Sequence, residues 1–305
     1  MTHPPVVILG PTASGKSDVA MHVAQMVTGT EIIAVDAMMV YKAMNIGTGK
    51  PTLADQKQVP HHCLDLADAS IRFTVADFQR HANEALTSIA SRDGYALLVA
   101  GTGMYLQAVI DGFTLPGEFP EIRAELELLP SSELFARLND VDPDAATKIE
   151  PTNSRRLVRA LEVCLGSGRR FSSFGPGANV YPPTEFLQIG ILWPRAELAR
   201  RIELRVHSMI EAGWVEEVRQ LLAMPAPMSL TARQALGYKE LISHLEGHMS
   251  LDQAVAETIL RTRQFAVRQE RWFRRDPRID WVNVDAGENL VEQVAPKVLN
   301  CLGRN

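Results

Sequence analysis

Short apolar runs alternate with stretches of helical periodicity over the first hundred residues of the chain. The runs Val6–Gly10, Glu31–Asp36 and Tyr95–Gly101 are apolar almost throughout, as expected of strands that are covered on both faces. Between them, Lys16–Val27 and Phe73–Ala90 repeat apolar residues at the spacing of a helix. This alternation predicts an α/β fold, in which a parallel sheet carries helices on both faces.

The pattern changes after residue 117. Residues from about 121 to 170 are helical in pattern, and a connector rich in glycine and proline follows at Phe174–Pro183. An apolar strand-like run returns at Phe186–Trp193, with a helix predicted over about Arg195–Leu222. We therefore predict a core in two parts, residues 1–117 and 185–305, interrupted by a mostly helical insertion domain at 118–184.

Two segments concentrate positive charge on a chain whose net charge is −5. The stretch Leu251–Arg275 predicts a long amphipathic helix, and its part from Arg261 onward holds six arginines and one acidic residue. The stretch Arg155–Arg170 holds five arginines and one acidic residue. A solvated helix face explains either segment alone, but the two together favour a localised site for a polyanion.

The composition, 46% hydrophobic and 22% charged, is typical of a globular protein. No apolar run reaches the ~18 residues of a membrane span, and the start MTHPP does not resemble a secretory signal. Cys63, Cys164 and Cys301 lie too far apart for a CxxC metal pattern or a disulfide framework. These features predict a protein of the reducing cytoplasm, without a membrane partner.

A phosphate-binding loop is predicted directly after the first strand. Residues 10–17, GPTASGKS, match the pattern G-x-x-x-x-G-K-[ST] between a strand and a helix. Backbone amides and the positive helix end surround an anion there, Lys16 adds a full charge, and Ser17 is a candidate Mg²⁺ ligand. The predicted loop residues are Gly10, Pro11, Thr12, Ala13, Ser14, Gly15, Lys16 and Ser17.

The ends of the other predicted strands supply the candidate chemistry. Ligands of parallel α/β sheets bind at the carboxyl ends of the strands, where Asp36 follows the second strand and Gly101 ends the third. Asp36 is therefore expected to face the phosphate loop. Its carboxylate suits a ligand that helps to hold Mg²⁺ or a general base, and the residues alone leave both roles open.

Several motifs, in order from residue 10 to about 282, resemble those of the tRNA dimethylallyltransferase (tRNA isopentenyltransferase) family. They are GPTASGKS at 10–17, DAMMVYKAMNIGTGKP at 36–51, VPHHCLDL at 59–66, AGTGMYLQA at 100–108, NSRRLVRALEV at 153–163, ALGYKE at 235–240 and TRQFAVRQERWFRR at 262–275. The resemblance implies a core like that of P-loop NTPases. It also implies transfer of a dimethylallyl group from dimethylallyl diphosphate to N6 of adenosine 37, in tRNAs that read codons beginning with U.

The resemblance also implies roles for individual residues. Lys16 and Mg²⁺ on Ser17 would stabilise the departing diphosphate, Asp36 would accept the N6 proton, and Thr102 would lie where donor and base meet. The partners would be dimethylallyl diphosphate and the anticodon stem-loop of tRNA. We expect a monomer, because the RNA already supplies a large partner surface. Positions implied to contact tRNA are Asp36, Ala37, Met38, Met39, Thr102, Arg123, Arg155, Arg156, Leu157, Val158, Arg159, Arg233, Tyr238, Arg268 and Arg274.

The chain departs from the family pattern at several of these places. Ala37 and Met39 stand where the family has serine and glutamine, and Val267 stands where it has lysine. The phosphate loop and Asp36 are retained, so we expect activity, with the contacts to the adenine surroundings altered. His61 and His62 are adjacent and point in different directions in an extended segment, which is poor geometry for a metal ion.

Three other functions are compatible with parts of the sequence. An isopentenyltransferase acting on free AMP or ATP would share the chemistry but would not need the two basic segments. A P-loop kinase for small molecules would use the loop but leaves the motifs NIGTGKP and GTGMY without a purpose. An RNA-binding module without catalysis would have no need of Lys16, Ser17 and Asp36.

Overall fold

The computed structural model describes residues 3–175 and 177–303 and divides into two compact units. The core unit consists of the residues up to Ile110 and those from Pro183 onward, and the helical unit is Asp111–Pro182. The sequence predicts the insertion at 118–184, whereas the structure groups residues 111–117 with the helices that follow them.

A six-stranded sheet forms the centre of the core unit, and all its strand pairs are parallel. The spatial order is β3-β2-β4-β1-β5-β6. This result confirms the predicted parallel sheet. The strands are β1 (Val6–Leu9), β2 (Thr30–Val35), β3 (His61–His62), β4 (Tyr95–Ala100), β5 (Leu187–Leu192) and β6 (Ile279–Asn283).

Alternate residues of each central strand enter two different apolar cores, one on either face of the sheet. On one face Val7 and Leu9 pack in the same cluster as Phe78. On the other, Val6 and Ile8 pack with helices from both ends of the chain. Two buried faces explain why the strands are apolar at every position, and they confirm that helices cover both faces.

Four helices belong to the first part of the core unit: α1 (Lys16–Met26), α2 (Leu53–Gln58), α3 (Val75–Ser91) and α4 (Gly103–Ile110). The helical unit contains α5 (Pro120–Leu126), α6 (Ser131–Val141), α7 (Pro143–Ala146), α8 (Ser154–Ser167) and a short 3-10 turn at Phe171–Phe174. Its own core is apolar and includes Leu134, Leu138, Leu157 and Leu161.

The second part of the core unit holds α9 (Arg195–Glu211), α10 (Trp214–Leu222), α11 (Leu230–Arg233), α12 (Tyr238–Leu245), α13 (Leu251–Phe273) and α14 (Leu290–Cys301). The single helix predicted over 195–222 is wrong. Gly213 breaks it, because its φ of 97° lies in the left-handed region that a glycine adopts without strain. The long helix α13 begins where predicted, capped by Ser250.

Strands β3 and β6 at the two edges of the sheet, and helix α14, were not predicted. The strand β3 has only two residues, and β6 follows an arginine-rich helix without a run of apolar residues. Across the described ranges, no helix is both long and apolar enough to cross a membrane.

Candidate functional site

Three loops meet at one edge of the sheet because the strands before them end in register. Leu9 and Val35 both pair with Ala100, so the residues that follow β1, β2 and β4 emerge side by side. The amides of Gly101 and Thr102 donate to the Val35 carbonyl at 3.2 and 3.3 Å. The Ala37 amide in turn donates to Oγ1 of Thr102 at 3.2 Å. As predicted for parallel sheets, the carboxyl ends of these strands thus form one site.

The phosphate loop has the backbone that its sequence predicts. Gly15 has a φ of 84° and immediately precedes α1, whose first residue is Lys16. A side chain at Gly10 would lie 2.9 Å from the Ile191 carbonyl oxygen, so β5 packs too closely to admit one. The loop therefore leads into a helix N-terminus, where free amides favour an anion.

Lys16, Arg201 and Arg205 surround this loop, and none of them pairs with a carboxylate of the described residues. Lys16 Nζ donates to the Pro11 carbonyl at 2.8 Å. Arg201 donates through Nε to the Ala13 carbonyl at 2.9 Å, and its guanidinium lies 4.5 Å from the centre of the Trp193 ring. Burial, together with the positive charge of Arg205, lowers the pKa of Lys16 to about 7.

The pKa of Arg205 is also lowered, first by burial and then by the charge of Arg201, although Asp36 and Asp18 act to raise it. Two cations whose charged forms are disfavoured gain stability when an anion binds between them. Arg201 and Arg205 lie on α9, far from the loop in sequence. The two basic segments predicted from the sequence lie on α8 and α13, so neither arginine of α9 was predicted to belong to the site.

Asp36 lines the same cavity as Arg205. Its Oδ1 accepts hydrogen bonds from the amides of Met38 at 2.8 Å and Met39 at 3.2 Å. Within the described residues no hydrogen bond reaches Oδ2, and the side chain is half-buried. The hydrogen bonds to Oδ1 thus fix the orientation of the carboxylate and leave Oδ2 available to accept a further hydrogen bond.

Gln269 joins the C-terminal helix to two of the three loops. Its Oε1 accepts the Thr12 amide at 2.9 Å, and its Nε2 donates to the Gly101 carbonyl at 2.6 Å. The side chain is only 7% exposed, so both hydrogen bonds are shielded from water. The apolar stripe of α13 includes Gln269, but nothing in the local pattern indicates that it contacts the phosphate loop.

A cavity opens beside the loop. Thr12, Asp36 and Arg205 supply polar groups to its wall, and most of the remaining lining is apolar. Met38 lines the cavity, whereas Met44 is fully buried in the core.

The motif NIGTGKP serves to hold its own loop in place. The carboxylate of Glu217 accepts the amides of Asn45 at 2.9 Å and Ile46 at 2.7 Å, and the hydroxyl of Tyr238 at 2.6 Å. Lys50 donates to the Tyr41 carbonyl and to Asp65. Tyr238, predicted to lie along the RNA path, is fully buried, and its hydroxyl donates to Glu217.

The other residues predicted to contact tRNA fall into three groups. Arg155, Arg156 and Arg268 are exposed. Leu157 and Val158 are buried in the core of the helical unit. The remaining arginines take part in ion pairs: Arg123 and Arg159 with Glu162, Arg233 with Glu246, and Arg274 with Glu270.

The candidate magnesium ligand Ser17 is exposed in the first turn of α1. Across residues 3–175 and 177–303, no group of three or more histidine, cysteine or acidic side chains is arranged to hold a metal. His61 Nδ1 contacts the Val59 carbonyl at 2.8 Å, and His62 Nε2 pairs with Glu31 at 2.7 Å. Mg²⁺ in phosphate sites needs few protein ligands, because the phosphates and water complete its coordination.

Comparisons with known proteins agree over most of the chain. The family model described as "IPP transferase" matches residues 39–276. A tRNA dimethylallyltransferase of Streptomyces coelicolor is 44% identical over 91% of this chain and 89% of its own length. One from Paenarthrobacter aurescens is 43% identical over 97% and 96% of the two chains.

Solved structures give the same result. A tRNA isopentenylpyrophosphate transferase of Bacillus halodurans is 34% identical with a TM-score of 0.71, covering 99% of this chain and 97% of its own. A eukaryotic dimethylallyltransferase described as acting on tRNA is 25% identical with a TM-score of 0.82, covering 97% of this chain and 78% of its own.

Proposed function

Because this chain belongs to the IPP transferase family, we propose that it transfers a dimethylallyl group from dimethylallyl diphosphate to adenosine 37 of tRNA. The acceptor tRNAs are those that read codons beginning with U. The bond between C1 of the donor and its diphosphate oxygen breaks, a bond between C1 and N6 of the adenine forms, and N6 loses a proton. The products are N6-dimethylallyladenosine in tRNA and diphosphate.

One observation carries this proposal: Arg205 and the carboxylate of Asp36 line one cavity beside the phosphate loop, and Lys16 of that loop is close enough to interact electrostatically with both. The cations and loop amides suit the two phosphates of the donor. An allylic group weakly bound to its leaving group is a strong electrophile, so stabilising the diphosphate as it departs activates the donor. On this proposal the phosphate loop binds the diphosphate of the donor, so the reaction does not require hydrolysis of a nucleotide.

Asp36 is the proposed proton acceptor. The exocyclic amine of adenine is a weak nucleophile, because its lone pair is delocalised into the ring. Oδ1 of Asp36 is held by two backbone amides, which leaves Oδ2 to accept the N6 proton. The Thr102 hydroxyl accepts the Ala37 amide, so its own proton is available for the substrate.

Magnesium is the proposed cofactor. Ser17 in the first turn of α1 and the oxygens of the donor diphosphate would hold it, and the ion would neutralise negative charge on the leaving group.

The anticodon stem-loop is the proposed RNA partner. Exposed Arg155, Arg156 and Arg268 are suited to its phosphates, where each contact adds affinity that depends on salt. The target adenine must leave its stack to reach Asp36, at a cost of a few kcal/mol that is smaller in a single-stranded loop. The relatives named for action on tRNA favour this acceptor over free AMP or ATP, and over a kinase function. We further propose a cytoplasmic monomer.

The test is to incubate the protein and Mg²⁺ with labelled dimethylallyl diphosphate and, in parallel, with unmodified tRNA, AMP or ATP. We expect label in tRNA alone, located at adenosine 37 after nuclease digestion. A matched tRNA with guanosine at position 37 is the control and should remain unlabelled. Label in AMP or ATP with unlabelled tRNA would contradict the proposal, as would phosphoryl transfer from ATP.

A further inference from the structure

The cavity beside the phosphate loop has both polar and apolar residues in its lining. Thr12 and Ala13 belong to the loop itself, and Arg205 and Asp36 add charged groups. Most of the other lining side chains are apolar, among them Met38, Val206, Met209, Trp214 and Leu236, with Thr48, Thr262 and Tyr238 as the polar exceptions. A donor held by its diphosphate at the loop must therefore direct its hydrocarbon chain along the apolar wall.

Trp214 occupies a fixed position in this wall. Its side chain is only 2% exposed, and it packs edge-on against Tyr238 with the ring centres 5.6 Å apart. The ring fills the space where side chains would otherwise stand at Gly47 and Gly237, since a Cβ at either glycine would collide with it. A large ring between two backbone segments has no room to change rotamer.

The segments around the ring are tied together by one acidic residue. Glu217 lies one turn after Trp214 on α10, and it binds the loop amides of Asn45 and Ile46 as well as the Tyr238 hydroxyl. These hydrogen bonds connect both backbone segments that contact the ring. The wall at Trp214 is therefore rigid, and a longer hydrocarbon chain cannot push it aside at low cost.

We propose that Trp214 limits the length of the prenyl chain that the enzyme accepts, so that a five-carbon donor fits and a ten-carbon donor does not. This inference deepens the proposed function and rests on it, because it assumes that an allylic diphosphate occupies the cavity. Trp214 is a specificity-determining residue, since it contacts the hydrocarbon chain and not the reacting atoms.

The experiment compares two donors, dimethylallyl diphosphate and geranyl diphosphate, with unmodified tRNA as acceptor. In the unsubstituted protein we expect kcat/KM to favour the five-carbon donor. W214L should raise the ratio of kcat/KM for geranyl over dimethylallyl diphosphate by at least about tenfold, since a single methylene in an apolar pocket already changes kcat/KM ~10–200-fold. Calorimetric titration of the two donors without tRNA should show the same shift in the ratio of Kd values.

The matched control is V218A. Val218 is fully buried on the same helix and does not line the cavity, so its loss weakens the core without lengthening the pocket. If circular dichroism shows that W214L is unfolded, M209A takes its place, because Met209 is another apolar side chain in the lining of the same cavity.

The outcomes separate the two proposals. A folded W214L or M209A with the donor ratio of V218A overturns the length limit, as does an unsubstituted protein that uses geranyl diphosphate equally well. A shifted ratio of Kd values without transfer to tRNA supports the length limit and contradicts the proposed transfer.

Discussion

In the core unit Lys16 and Arg205 lie beside a phosphate loop and form no ion pair with a carboxylate of the described residues, whereas in the helical unit Arg123 and Arg159 share the carboxylate of Glu162. Glu162 is fully buried and accepts Arg123 at 2.6 Å, Arg159 at 3.1 Å and the Phe119 amide at 2.7 Å. Both pairs of cations are partly covered by protein. Arg123 and Arg159 are neutralised by a carboxylate of the protein, whereas Lys16 and Arg205 are suited to an anionic ligand.

This difference shows that the number of arginines in a segment does not define a binding site. A covered cation without a partner costs free energy that only a ligand recovers, so it indicates function. A covered cation paired with a carboxylate has its charge compensated within the fold, and removing either partner is destabilising. By this criterion we propose Lys16 and Arg205 as the binding cations, and we assign Arg123 and Arg159 to the packing of the helical unit. Each of the following predictions tests part of that comparison.

The largest effect should come from the base beside the binding cations. Asp36→Asn keeps the oxygen that accepts the Met38 and Met39 amides but cannot take up the N6 proton. We expect kcat to fall by ~10²–10⁴-fold with little change in stability. Single-turnover transfer to tRNA measures it, with Asp68→Asn, an exposed carboxylate paired with Lys42, as the control. If the Asp36→Asn protein kept the kcat of the unsubstituted protein, Asp36 would be excluded as the proton acceptor.

Arg205→Met removes a binding cation and should lower kcat/KM for dimethylallyl diphosphate by ~10²–10³-fold, the usual cost of one group that stabilises developing charge. Arg200→Met on the same helix is the matched control, because Arg200 is exposed and pairs with Glu197. Steady-state kinetics at saturating tRNA gives both values. Equal losses in the two variants would show that Arg205 is an ordinary surface arginine.

The protonation of Lys16 should appear in the pH profile. Its pKa of about 7 in the free protein means that the charged form is lost as pH rises through that value. The charge attracts the diphosphate, so kcat/KM for the donor should decline above about pH 7, approaching tenfold per pH unit. Lys16→Arg should keep its charge and remove this decline. A profile that stays flat to pH 9 in the parental protein would rule out this titration.

Glu162→Gln should act on stability instead of donor affinity. The substitution leaves Arg123 and Arg159 without their carboxylate, and we expect the free energy of unfolding to fall by ~1–3 kcal/mol. Urea unfolding measures the loss. The control Glu133→Gln breaks an exposed pair with Arg137 and should cost less than ~0.5 kcal/mol. If both variants lost a similar free energy of unfolding, the buried pairs of Glu162 would contribute no more to stability than an exposed pair.

The same ion pairs should make the fold sensitive to acid. Burial acts to raise the pKa of Glu162, but the Phe119 amide, Arg123 and Arg159 outweigh burial and hold it below the usual 4.5. A lowered pKa contributes stability that is present above 4.5 and lost as pH falls through the folded-state value. Glu162→Gln should flatten this part of the stability profile.

The smallest effect should come from the exposed arginines of α8. Arg155→Ala combined with Arg156→Ala should weaken binding of an anticodon stem-loop and lower the slope of log K against log salt by up to about 2. Filter binding over a salt series measures it. Arg123→Ala, by comparison, should reduce stability and leave the slope unchanged. An unchanged slope in the double variant would remove these arginines from the RNA site.

The sequence alone predicts those residues of the candidate site that come directly after a strand. The phosphate loop, Asp36 and Thr102 each follow a strand, and parallel strands bring their carboxyl ends together. The buried strands could be predicted because a sheet covered on both faces needs apolar residues at every position. Their ends were correct to within about one residue.

The remaining residues could not be found because their contacts are distant in sequence. Arg201, Arg205 and Gln269 are ordinary members of helical patterns, and only the packing of α9 and α13 brings them to the loop. Glu217 binds amides some 170 residues before it. Periodicity shows which face of a helix is apolar, but not which loop that face meets.

The bridge that Gln269 makes has a consequence for how the protein matures. Thr12 and Gln269 are 257 positions apart, so the ribosome makes the loop long before its hydrogen-bond acceptor. Until α13 has emerged and docked, the Thr12 amide and the Gly101 carbonyl lack the group that joins them. The two loops beside the cavity are thus joined only after α13 has been made, and a shorter nascent chain lacks the bridge between them.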